Sequence, residues 1–259
     1  GTLTVVRVGA PATVDAGCAR WAMLLAPVAV LPPLGRGEIV LGFDVGGTDI
    51  KAAIFGADGR MHGHLRTPTP LAGAPAVTAR LRELADELRQ RFPELTPRAA
   101  GVIVPGIVDT ERGTVVFASN LGWRDAALRP LAQQALGLPV AFEHDVRAAS
   151  LAEHALGGAR AYDDLVMLVI GTGIAGALMI GGRPHASGGY AGEIGHSPLT
   201  LDGAECACGA RGCLETVASA GALARRYSER SGDQVRGARE VLDRVAAGDA
   251  DAIAVWDEA

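Results

Sequence analysis

From residue 38 onward, short apolar runs alternate with glycine turns. EIVLGFD at 38–44 is a continuous apolar run that predicts a buried strand. Gly46 and Gly47 predict a tight turn, and DIKAAIF at 49–55 the returning strand. Residues 57–60 turn again into a third strand over 61–67, which Pro68 and Pro70 end. Val77, Leu81, Leu84 and Leu88 recur at helical spacing and predict a helix over 74–91. GVIVPGIVD at 101–109 reads as one buried strand broken by Pro105-Gly106. Then come a helix over 124–136, a strand over 139–142 and a helix over 145–156. A second glycine hairpin follows: strand 164–170, turn 171–176, return strand 177–182. Helices close the chain at 218–230, 236–247 and 249–258.

The hairpin at 164–182 echoes the one at 38–55, which predicts two related α/β halves, 38–143 and 144–259. The second has no strands after its hairpin and reads as incomplete. Residues 1–37 stand apart. Their apolar run, 21–34, has three prolines and only fourteen residues. That is too short to cross a bilayer, which predicts a poorly ordered leader and no membrane partner.

Composition narrows the function. A chain of 259 residues with 49% hydrophobic content can build a sizeable core. Net charge of -5 and pI near 5.7 offer no basic face for nucleic acid. Three of the four cysteines cluster, which is metal usage in a reducing, cytoplasmic setting. That cluster holds the strongest chemistry. His196 is followed by Cys206, Cys208 and Cys213, a Cys3His set suited to tetrahedral zinc. Glu193 and Glu215 flank it, so a metal here would fix two carboxylates and an imidazole in one wall. The plainer reading is a knuckle that only staples a loop. In DVGGTDIK at 44–51, backbone N–H groups of the turn can face phosphate oxygens, and Asp44 can hold Mg2+. Gly171-Thr172-Gly173 offers a matching turn across a cleft. Asp145 opens a helix, where it serves as an N-cap or as general base for a substrate hydroxyl. Asn120 either binds a hydroxyl or shapes its loop.

Taken together, LGFDVGGTDIKAAIF, LVIGTGIAGALMIGG and GEIGH followed by CACGARGCLE resemble the ROK family of sugar kinases and regulators, on the actin-like ATPase (ribonuclease H-like) fold. The resemblance covers about 38–215. It implies structural zinc on His196, Cys206, Cys208 and Cys213, and sugar contacts from Asn120, Asp145, Glu193, His196 and Glu215. It implies ATP phosphates with Mg2+ at Asp44, Gly46, Gly47, Thr48 and Lys51, facing Gly171, Thr172 and Gly173. Asp145 would be the catalytic base in ATP-dependent phosphorylation of a hexose at its 6-hydroxyl, glucose first and N-acetylmannosamine as the main competitor. A transcriptional regulator and an inactive sugar-binding remnant are the other readings. A homodimer or larger assembly is implied. The pattern departs from the family's Asn-Asp-x-Asn at His144-Asp145-Val146-Arg147, so the sugar contact beside the base becomes His144 and the sugar preference turns on it. The family also continues past this C-terminus, so the second domain reads as truncated.

Overall fold

The computed structural model describes residues 2–4 and 37–259. The leader expected over 1–37 lies almost wholly outside the described residues.

The first half is built on a five-stranded sheet of order β4-β3-β2-β5-β9. Its strands are β2 (Val40–Val45), β3 (Asp49–Phe55), β4 (Met61–Pro68), β5 (Ala99–Val104) and β9 (Val140–His144). β2, β3 and β4 pair antiparallel, while β5 and β9 add in parallel. This is the expected three-plus-two arrangement. Alternate residues of β2 and β3 are buried: Leu41, Phe43 and Val45 face the core with Ile50, Ala52 and Ile54. Helix α1 (Ala74–Arg91) lays Val77, Leu81, Leu84 and Leu88 onto that face, at the spacing the sequence shows. Helix α2 (Leu128–Leu136) completes the layer with Leu128, Ala132 and Leu136.

Between β5 and α2 the chain forms a small antiparallel sheet of β6 (Ile107–Asp109), β7 (Thr114–Ala118) and β8 (Trp123–Ala126). The single strand expected over 101–109 is therefore two strands in different sheets. Gly106 turns the chain with φ 100°, and a Cβ there would strike Phe117 and Ala118 of β7. The helix expected from 124 begins at Leu128, because β8 occupies the preceding residues.

Helix α3 (Asp145–Leu156) opens the second half and packs on the hairpin of β10 (Leu165–Ile170) and β11 (Ile174–Ile180). The return strand starts at Ile174 rather than 177, which shortens the glycine turn to three residues. β1 (Thr2–Thr4) and β12 (Arg183–His185) flank the hairpin in a four-stranded antiparallel sheet. After the Cys/His loop come α4 (Leu214–Ala218), α5 (Ala220–Ser231), α6 (Ala238–Ala246) and α7 (Ala250–Asp257). The expected helix 218–230 is thus broken at Ser219. That residue is extended and caps α5, its hydroxyl accepting the Ala222 N–H at 3.0 Å. Among the described residues, no helix is long and apolar enough to cross a membrane.

Candidate active site

A cleft of about 610 Å³ opens where β9 passes into α3, facing the β10–β11 turn and the Cys/His loop. Asn120, Asp145, Glu193, His196 and Glu215 all line it, together with Gly171, Thr172 and Gly173. Residues far apart in sequence thus meet at one wall.

Asp145 is the first residue of α3, so the N-cap is His144, not Asp145 as the sequence suggested. The Asp145 carboxylate still serves the helix end: its Oδ1 accepts the Val146 N–H at 2.7 Å. Burial pushes the Asp145 carboxyl above the ordinary aspartate value; the Asp44 charge adds to this, while the Val146 N–H and Arg147 oppose it. A base with a raised pKa holds an abstracted proton better. Glu193 is also raised by burial, with His196 and Arg147 pulling the other way and the Asp145 and Glu215 charges adding to it. Carboxylates gathered this closely call for a ligand rich in hydrogen-bond donors.

Glu215 is tied to the second glycine turn. Its Oε2 accepts the Ile174 N–H at 2.8 Å. A Cβ on Gly173 would collide with that carboxylate, so only glycine leaves room for it. The turn is also braced from α5, where the Ala220 N–H reaches Gly171 O at 2.8 Å.

The first glycine turn is placed differently. Gly47 touches the Asn120 loop, where an added Cβ would stand 3.1 Å from Asn120. Thr69, unremarked in the sequence, clamps the turn by donating to Gly46 O at 2.7 Å, and its N–H reaches Thr48 O at 2.9 Å. Asp44 and Lys51 pair with each other at 2.7 Å and line a separate, largely apolar groove of about 580 Å³ on the outer face of the sheet. Neither lines the cleft, although the Asp44 charge is felt at Asp145.

The ligand atoms of His196, Cys206, Cys208 and Cys213 lie within 4.8 Å of one another. Cys208 Sγ and Cys213 Sγ are 3.8 Å apart, and Cys206 Sγ is 3.5 Å from His196 Nδ1. A tetrahedron with arms of about 2.3 Å to sulfur and about 2.0 Å to nitrogen has edges of about 3.8 and 3.5 Å. Two of the six edges among the four ligand atoms thus match those of a zinc tetrahedron. Burial pushes the Cys213 thiol up to about 12, so a proton stays there until a cation displaces it. The Ala210 N–H lowers Cys208. Gly212 makes this tight fold possible: its φ is 67°, and a Cβ would strike Thr200 O. With Nδ1 turned to the sulfurs, His196 Nε2 lies 3.7 Å from Glu193 Oε2, so one ring joins the cluster to the cleft.

Sequence reading placed His144 where the family has a sugar contact and noted Arg147 only as a departure. In the structure they adjoin Asp145. Arg147 is 1% exposed; its Nε donates to Glu143 Oε1 at 2.8 Å and its Nη2 to Val108 O at 3.1 Å. The spacing of Glu143 and Arg147, four apart across a helix start, was the one available signal.

Residues 40–259 match the model of the ROK family. The chain belongs to the ROK family. Its α/β fold is that of ROK kinases. It is 32% identical to a glucokinase of Streptomyces coelicolor over 194 residues, covering 74% of this chain and 60% of that relative. The chain thus spans about three fifths of the length of the ROK relative it matches. A ROK family glucokinase from Streptomyces griseus in complex with glucose and AMPPNP superposes with TM-score 0.72 at 29% identity, over 85% of this chain and 75% of that one. A ROK family transcriptional regulator, homologous to the Escherichia coli MLC protein, superposes with TM-score 0.75 at 28% identity, over 85% and 58%.

Proposed function

We propose that this ROK protein is an ATP-dependent hexose kinase acting on a 6-hydroxyl, with glucose as its first substrate and N-acetylmannosamine as the main competitor. The carrying observation is the convergence of Asn120, Asp145, Glu193, His196 and Glu215 on one cleft beside the Gly171–Gly173 turn. Glu193, Glu215 and His196 would orient sugar hydroxyls, and the Asn120 amide would supply donors where the carboxylates only accept. Asp145 would take the proton as the hydroxyl attacks the γ-phosphorus; the β–γ bridging oxygen leaves with ADP. N–H groups of the Gly171–Gly173 turn, which lines the cleft, would face the phosphates, with those of the first glycine turn beside the Asn120 loop. Mg2+ bound with ATP would neutralise charge on the transferring group; Asp44, the carboxylate the family resemblance points to, would have to leave Lys51 to reach it. Zinc on His196, Cys206, Cys208 and Cys213 would be structural, holding His196 against Glu193. Thiolate ligation fits the reducing cytoplasm, and the family resemblance supports a homodimer or larger.

A second reading is a sugar-responsive regulator, favoured by the similarity to the MLC-like regulator. A coupled ADP-release assay with glucose separates the two. The kinase reading expects turnover that falls about 10²- to 10⁴-fold in Asp145→Asn. Its acid limb should lie above the ordinary aspartate value, activity rising with pH as the buried Asp145 ionises. A wild type that turns nothing over, yet melts higher with sugar, would leave a sensor or remnant instead.

A further inference from the structure

A buried arginine is costly unless its fork is filled, and the fork of Arg147, 1% exposed, reaches across three elements. Toward β9, its Nε donates to Glu143 Oε1 at 2.8 Å, and the same oxygen accepts the His144 N–H at 2.7 Å. Toward β6, its Nη2 donates to Val108 O at 3.1 Å. That carbonyl is itself hemmed in, since a Cβ on Gly189 would stand 2.8 Å from it. Within α3, the Arg147 carbonyl accepts the Ser150 hydroxyl at 2.8 Å. Asp145 lies midway along the Glu143–Arg147 bridge, so the turn that carries its carboxylate is closed on both sides.

The charges around the cleft are one-sided. Asp145, Glu193 and Glu215 line it, and among the described residues no lysine or arginine does. Asp145 feels Asp44 of β2, and Glu193 from the loop before the cysteines feels Asp145 in turn. His144 of β9 brings no positive charge near pH 7, since burial and then Arg147 pull its imidazole down to about 4, against Glu143. Arg147 is the cation that acts on Asp145: burial raises that carboxyl, the Val146 N–H lowers it, Asp44 raises it and Arg147 lowers it. Arg147 does not line the cleft, so it works without touching a ligand there.

We propose that Arg147 is a positioning residue for phosphoryl transfer: it locks the Asp145 turn to the β6 carbonyl and supplies the fixed positive charge that the cleft's carboxylates lack. This rests on the sugar-kinase reading and deepens it. A base must stand within hydrogen-bond reach of the hydroxyl it serves, and it must be ionised to accept the proton. One guanidinium secures both conditions, the first by its fork and the second by its charge.

The test is the pH profile of kcat/KM for glucose, in the coupled ADP-release assay with saturating ATP and Mg2+ on the zinc-loaded chain. Wild type, Arg147→Met and Arg147→Lys are compared, each with its glucose affinity from calorimetry. Arg147→Met should lower kcat about 10²-fold even where Asp145 is fully ionised, because the base is then misplaced. Its acid limb should also move to higher pH, since loss of the cation favours the protonated carboxyl. Glucose affinity should stay within about threefold of wild type, which separates placement of the base from sugar binding. Arg147→Lys keeps the charge without the fork, so its limb should stay with the wild type while kcat recovers only in part. An arginine that serves only packing would lower stability and kcat in both variants and leave both limbs unmoved. That result would overturn the inference and leave the kinase reading standing. If Arg147→Met does not fold, Glu143→Gln/Arg147→Met, which leaves no orphaned carboxylate, takes its place with the same expectation. A wild type that turns over no glucose would remove both the kinase reading and this one.

Discussion

The two halves stabilise themselves by different means. In the first, twenty-five buried side chains join in one apolar cluster between the sheet and its helices. In the second, the described residues form two clusters with three buried members each, one under the β10–β11 hairpin and one among α5, α6 and α7. Apolar burial stabilises in proportion to area, so the first half rests mainly on its core. The second leans on polar clasps. One is the Cys/His loop. Another is Tyr227, whose hydroxyl donates to Asp249 at 2.8 Å and accepts from Arg244 at 2.8 Å. The cleft lies where β9 passes into α3, with Asp145 the first residue of that helix.

Removing metal should strike hardest and unequally. Structural zinc in thiolate sites contributes on the order of 10 kcal/mol to folding. A strong chelator should open residues 196–213 to protease and weaken sugar binding, while a fragment of the first half resists. Simultaneous digestion of both halves, or no change in either, would break the contrast.

Next, Leu81→Ala should cost roughly 4 kcal/mol, because a fully buried leucine leaves a cavity in a close-packed layer. Met167→Ala, equally buried but in the thin cluster, should cost nearer 2 kcal/mol, since its surroundings can collapse. Denaturant midpoints measure both, and equal losses would erase the distinction.

A somewhat smaller effect sits where β9 meets α3. Unfolded His144 gains its proton near pH 6.5 and the folded one near 4. Between those values the unfolded chain binds more protons, so stability rises with pH. The gain approaches about 3 kcal/mol by pH 7. Asp145 acts with the opposite sign, since its raised folded value favours the protonated folded state. Melting curves from pH 4 to 7 should show His144→Asn losing the rise. An unchanged slope would place the ring in a more solvated setting.

The smallest effect tests the polar clasps singly. Ser219→Ala removes the α5 cap and should cost about 1 kcal/mol by denaturant titration. A loss near that of Leu81→Ala would mean that caps matter more in the second half than its core does.

The sequence showed the first half clearly because its strands and α1 obey simple periods. Leu41, Phe43 and Val45 alternate, and Val77, Leu81, Leu84 and Leu88 keep one helical stripe. It hid β7 and β8, where TVVFA is a five-residue run and WRDA shows no alternation. The Cys/His cluster was legible because its ligands are near neighbours in the chain. The clamp on Arg147 was not, since Val108 O comes from 39 residues away and a carbonyl leaves no mark in a pattern of side chains. Nor could spacing show that Lys51 turns to Asp44 in a groove of its own.

Gly173 and Glu215 hold one space between them. A methyl at 173 evicts the carboxylate, and a shorter acid at 215 strands the Ile174 amide. Substitutions at the two positions are therefore not independent experiments. A defect seen on altering either must be read as the failure of a joint between the second glycine turn and the thiol-bearing loop, never as the contribution of one side chain.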